Sequence, residues 1–106
     1  MERYKFGEIV LIKFPFTDNI TFKNRPALII TDTDDGDLIV CRITSKSYTT
    51  RYDIELKQWE TCGLKFPSVV RVHKIASIEK AMIGIKLGEV SDDIKSQIRH
   101  IFKKLV

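Results

Sequence analysis

The sequence is short of cysteine. Cys41 and Cys62 are its only two, they form no CxxC pair, and they are too few for a disulfide scaffold. Long apolar runs are missing too: none approaches the ~18 residues that span a bilayer, and the opening MERYKFGE lacks the apolar stretch of a signal peptide. Five glycines and three prolines among 106 residues build no Gly/Ser/Pro-rich linker, and no repeat or low-complexity tract is visible. The two histidines, His73 and His100, are far apart without a ligand cluster, so no zinc site is supported. The acidic stretch around Asp34 and Asp35 fails as a calcium loop, because with Gly36 at position six Arg42 falls where the closing glutamate belongs. No GxSxG elbow, phosphate-binding P-loop or dinucleotide fingerprint is present. Cys41 sits inside an apolar segment as a small core residue. Cys62 is open to exposure, yet nothing in the sequence pairs it with a base. These absences point to a single small domain over residues 1–106, cytoplasmic, with no metal and no cofactor.

What is present has an ordinary globular balance, 43% hydrophobic and 30% charged. Lys and Arg number 18 against 14 Asp and Glu, a formal charge of +4, with a pI of about 9.1. That mild basic lean is compatible with a polyanionic partner such as nucleic acid without requiring one.

Strand patterns dominate. Glu8 to Phe14 (EIVLIKF) is nearly all apolar, so both of its faces are expected to be covered, and Pro15 ends it. A polar connection, Thr17 to Asn24, leads to a second run at Ala27 to Thr31. Asp35-Gly36 marks a tight turn before the returning strand Leu38 to Thr44. Tyr52 to Leu56 alternates as a half-buried strand does. Ser68 to Ile75 and Met82 to Leu87 complete five or six strands. The period then changes. Ser91 is a capping residue, Asp92 and Asp93 sit in the first turn and Lys103 and Lys104 in the last, and Ile94, Ile98, Ile101, Phe102 and Leu105 make one helical stripe. The expected architecture is mainly β: a small antiparallel barrel-like sheet with a C-terminal helix, closure removing vulnerable edges.

Groups able to act on a phosphodiester gather at strand ends. Arg25 precedes Pro26, which restricts it to extended geometry and gives it a defined direction. Thr44 and Ser45 end a strand and Lys46 follows. Arg71 and His73, two apart, share a face roughly 6–7 Å from each other, with Val70 and Val72 turned to the opposite, core side. A guanidinium beside an imidazole suits a phosphodiester, one gripping oxygens and the other moving a proton near neutrality. On periodicity alone the pair reads equally as the solvated side of an amphipathic strand. Trp59, Phe66 and Tyr48 read either as base-stacking platforms or as covers for a core edge. His100 is a surface residue near the helix C-terminus. The residues by themselves thus reach a small β-barrel suited to a phosphate backbone.

Four ordered blocks add more: GEIVLIKFPFTD (Gly7 to Asp18), NRPALIITD (Asn24 to Asp32), CRITSK (Cys41 to Lys46) and GLKFPSVVRVHKIASIEK (Gly63 to Lys80). Together they resemble the MazF/PemK family, toxin endoribonucleases of bacterial toxin–antitoxin pairs, in order and spacing from about Phe6 to Val90. The resemblance implies an SH3-like barrel with a C-terminal helix, and a metal-independent, sequence-selective endoribonuclease acting on single-stranded RNA. In that chemistry the 2′-OH attacks its neighbouring phosphorus, leaving a 2′,3′-cyclic phosphate and a 5′-hydroxyl. It places Arg25 on the scissile phosphate with Thr44 as its companion, assigns Arg71 a catalytic role, and puts His73 where PemK-like members tend to have aspartate, as the candidate for proton transfer. Thr17, in a segment resembling the family's RNA-shaping loop, and Ser45 and Lys46 are the implied substrate contacts. A cognate antitoxin protein and a homodimer are the implied partners; the apolar first strand is compatible with a buried interface. Two other readings stay open: a gyrase-binding toxin of the CcdB type, and, given His73, a catalytically silent RNA-binding relative.

Overall fold

A computed structural model describes residues 2–15 and 22–106. Six strands form one antiparallel sheet: β1 (Glu8–Pro15), β2 (Phe22–Asp32), β3 (Asp37–Thr44), β4 (Asp53–Leu56), β5 (Ser68–Glu79) and β6 (Ile83–Glu89), followed by the helix α1 (Asp92–Leu105). Their order across the sheet is β4-β5-β3-β2-β1-β6. Among the described residues no pairing joins β4 to β6, so the mainly β fold with its C-terminal helix matches expectation while the sheet stays open where closure was expected.

The apolar character of β1 is accounted for within one chain, because the sheet carries a core on each face. Ile9 joins Leu28, Cys41, Ile43, Val70 and Val72 on the face covered by α1 through Ile98 and Ile101. Val10 and Ile12 join Ala27, Ile29, Val40 and Ile78 on the other. Alternate residues of a strand point to opposite faces, so a strand sandwiched between two cores has no polar positions to offer. The helix forms as its pattern dictates: Ser91 Oγ accepts from the Ile94 amide at 3.3 Å, with Asp92 and Asp93 in the first turn and Lys103 and Lys104 in the last. No helix among the described residues is long and apolar enough to cross a membrane.

Two strands run further than their sequence pattern shows. β2 begins at Phe22, inside the stretch expected to be a connection, and runs straight through Pro26. Proline is tolerated because pairing with β3 starts only at Ala27, leaving the Phe22–Pro26 part bonded to β1 alone. β5 continues to Glu79, and its register against β3 jumps between Cys41 and Arg42, which face Ile75 and Arg71 respectively. The residues between, Val72 to Lys74, form an irregularity that bends β5 so that its first part also pairs with β4.

The gap left by the open sheet is stopped by backbone on backbone. Gly63 has φ +81°, and a Cβ there would lie 2.2 Å from the Leu87 carbonyl oxygen; one at Gly88 would lie 2.5 Å from that of Cys62. Only glycine permits an approach this close at a left-handed position. Gly63→Ala is therefore expected to cost about 1–2 kcal/mol from backbone handedness alone, a fall in thermal midpoint of about 4–16 °C. A midpoint within a degree of wild type would contradict this contact.

Candidate functional site

A hollow of about 700 Å³ opens where the unpaired side of β2 meets the end of β3, the 63–68 connection and β6. Arg25 and Thr44 both line it. The register explains why: each lies two residues beyond the Ala27–Arg42 pair, so both point to the same face of neighbouring strands. Ser45 and Lys46 follow them into the same wall. Thr17 lies outside the described residues.

The charge of the lining is one-sided. Lys23, Arg25, Arg42, Lys46 and Lys65 contribute to it and no aspartate or glutamate does. Among the described residues none of these five cations enters an ion pair. Five cations sharing low-dielectric walls repel one another until an anion arrives, which makes such a hollow attractive to a phosphate chain. Thr44 is ready to donate, because its Oγ1 already accepts from the Lys46 amide at 3.2 Å and its own proton is left for a ligand. Phe66, 63% exposed, adds an aromatic surface at the rim. The groove of about 800 Å³ between β4 and α1 is mixed in charge, with Lys57 as well as Glu89 and Asp93 in its lining.

Arg71 and His73 are brought together, but beside the hollow rather than in its lining. Arg42 pairs with Arg71 and Arg71 with Asp53 across β3, β5 and β4, so Arg71 shares the sheet face of Arg25 two strands away and two residues along, about 12 Å. Arg71 is not a solvated strand residue. Its side chain is 10% exposed, its Nε donates to Asp53 Oδ1 at 2.9 Å, and its guanidinium lies 3.6 Å from the centre of the Tyr48 ring. Burial works against ionising Asp53, but the bonds from Arg71 and Thr50 outweigh it and hold the carboxyl below its usual range. His73 Nε2 is 3.5 Å from an Arg71 nitrogen and its ring sits 5.0 Å from that of Tyr52. Burial, then the Arg71 charge, pushes the His73 pKa down, which keeps the ring in its neutral, proton-accepting form at neutral pH.

The remaining candidates separate cleanly. Cys41 is fully buried and burial pushes its thiol up to about 12; Cys62, for which exposure was open, is buried too, and its thiol is also raised. Neither is a thiolate at neutral pH. No group of three or more His, Cys, Asp or Glu among the described residues is arranged to hold a metal. Trp59 covers the core on the helix side. Lys23, Arg42 and Lys65 belong to the site without having been singled out by sequence, since a lone cation in a strand or turn carries no signal until its neighbours are known.

A family model for the PemK-like, MazF-like toxin of type II toxin–antitoxin systems matches residues 5–106. Among curated proteins no sequence matches this one. The fold is shared with solved structures at low identity. MazE–MazF from Deinococcus radiodurans superimposes with a TM-score of 0.81 at 19% identity, over 99% of this chain and 96% of the other. An endoribonuclease from a mycobacterial species gives 0.77 at 17%, covering 98% and 91%. A mycobacterial endoribonuclease in complex with its cognate antitoxin gives 0.72 at 17%, covering 95% and 92%.

Proposed function

This chain belongs to the PemK-like, MazF-like toxin family of type II toxin–antitoxin systems, and from that premise we propose that its cationic hollow binds single-stranded RNA and cuts it. The observation that carries the reading is the joint placement of Arg25 and Thr44 in a hollow lined by five cations and no acid. In the proposed reaction the ribose 2′-oxygen attacks the adjacent phosphorus while the 5′-oxygen leaves, giving a 2′,3′-cyclic phosphate and a 5′-hydroxyl. Arg25 spans two non-bridging oxygens and stabilises the charge that builds on the phosphorane; Thr44 donates to the same phosphate and fixes its orientation. Ser45 and Lys46 hold a neighbouring phosphate. The 2′-hydroxyl proton passes to water and the leaving 5′-oxygen takes one up; Arg71, its charge met by Asp53, and His73 stand outside the hollow and support its wall from the adjoining strand. Single-stranded RNA is favoured because its bases and 2′-hydroxyls are accessible.

Partners follow from the same reading. Two of the similar structures are assemblies with an antitoxin, and a cognate antitoxin protein is proposed for this toxin, with a homodimer as its assembly and the cytoplasm as its place of action. The test is direct. Incubated with a long single-stranded RNA in excess EDTA, the protein is expected to yield discrete fragments ending in cyclic phosphate, with 5′-hydroxyls on the downstream pieces. Intact RNA, or cleavage abolished by EDTA, would overturn the proposal.

A further inference from the structure

Beside the phosphate hollow lies a smaller recess of about 230 Å³ whose walls include Ser45, Ser47, Tyr48, Thr49, Glu55 and Ser68. Ser45 and Ser68 line both cavities, so the two adjoin. Their chemistry is opposite. The larger has cations and no carboxylate; the smaller has the Glu55 carboxylate and no cation. Glu55 is exposed and, among the described residues, enters no ion pair. A phosphate would be repelled there, whereas a neutral group rich in N–H donors would be held.

Tyr48 is fixed before any ligand arrives. The Arg71 guanidinium lies 3.6 Å from its ring centre, Asp53 Oδ1 holds that guanidinium, and Asp53 Oδ2 accepts from both the amide and the hydroxyl of Thr50 in the same connection. The ring is thus a rigid aromatic wall, the device by which single-stranded RNA bases are commonly taken up. The volume is below the ~300 Å³ at which sites for whole drug-sized molecules begin, which suits a single planar heterocycle.

We propose that this recess takes one guanine base of the RNA, the base flanking the phosphate held at Arg25 and Thr44. Tyr48 supplies the stacking surface, and Glu55 accepts from the adjacent N1–H and N2–H donors that only guanine presents side by side on its Watson–Crick edge. Glu55 is then a specificity-determining residue, and Asp53 and Arg71 are positioning residues acting through Tyr48. The proposal rests on the RNA-cleavage reading above, and two measurements separate them. Cut sites in a long RNA are mapped for wild type and Glu55→Gln, and binding of uncleavable 2′-O-methyl oligonucleotides, with and without guanine, is measured for both and for Tyr48→Ala and Tyr48→Phe. Wild type is expected to show guanine at one fixed position flanking the cut and to bind guanine-containing oligonucleotides preferentially. Glu55→Gln should lose that preference by about tenfold or more, since a neutral amide sets one acceptor and one donor where the carboxylate set two acceptors against two donors. Tyr48→Ala should weaken binding by about tenfold, and Tyr48→Phe should restore it. An unchanged base preference in Glu55→Gln, or a wild-type preference for another base, overturns the recess while leaving the nuclease intact. Guanine-selective binding that needs Glu55, without any cleavage, supports the recess and overturns the nuclease.

Discussion

An Arg25→Ala protein is expected to cleave RNA about 100- to 1,000-fold more slowly than wild type, the usual loss when one preorganised charge donor is removed from a developing anion. The loss should fall on the single-turnover rate. Lys23, Arg42, Lys46 and Lys65 remain in the hollow to hold the phosphate chain, so RNA affinity should change much less than the rate. The fold should be unaffected, because Arg25 is exposed and no ion pair among the described residues uses it. Arg25→Lys should recover little, since an ammonium is a point charge without the planar fork that spans two phosphate oxygens. Cleavage by Arg25→Ala at the wild-type rate would remove Arg25 from the chemistry.

The largest stability effect is expected at Asp53. Its side chain is 1% exposed and that of Arg71 10%, so the pair is held away from water. Breaking such a pair from one side leaves a buried charge without compensation, and Asp53→Asn is expected to destabilise the fold by about 3–5 kcal/mol in urea unfolding. Replacing both partners with apolar residues of similar size should recover much of that loss, which a simple hydrogen-bond count would not foresee. The pH dependence carries a matching signature. The folded Asp53 carboxyl titrates below its usual value of 3.8, so the unfolded chain takes up a proton first. Its contribution is complete above about pH 4 and drains away as the pH falls further. Asp53→Asn should lack that part of the acid loss, although Asp32, held down to about 2 by its bonds from Lys80 and the Asp34 amide, retains its own. His73 acts in a higher window: its lowered pKa means that the unfolded chain binds the extra proton as the pH drops below about 6.5, which weakens the fold there.

Much of the fold is legible in the sequence because hydrophobic period is a local signal. The alternation in β4 and the stripe of α1 reappear almost residue for residue. Where period fails, so does the reading. Pro26 looks like a break, and only the absence of β3 pairing before Ala27 makes it harmless. The tail of β5, Ala76 to Glu79, has lost its alternation and is held as strand by Asp37 to Val40 across the sheet. Barrel closure is a global property that no window of residues contains, and the glycines that stand in for it here, Gly63 and Gly88, meet segments some two dozen positions away in the chain. The site divides in the same way. Arg25, Thr44, Ser45 and Lys46 travel in two short blocks whose family resemblance names them, and they do share one hollow. Arg71 was open to being a solvated residue, because its partner Asp53 is 18 positions away and nothing local announces a buried pair.

β6 supplies Ile85 and Leu87 to one wall of the hollow, yet of these six strands it is the last to be synthesised. Its pairing with β1 joins Val10 to Lys86, 76 residues apart, and contacts that distant form late because so much chain entropy is surrendered to close the loop. A polypeptide still emerging from the ribosome, or one truncated before Ile83, therefore carries Arg25 and Thr44 without the surface that completes their enclosure. Synthesis through β6 is a built-in condition for a finished site.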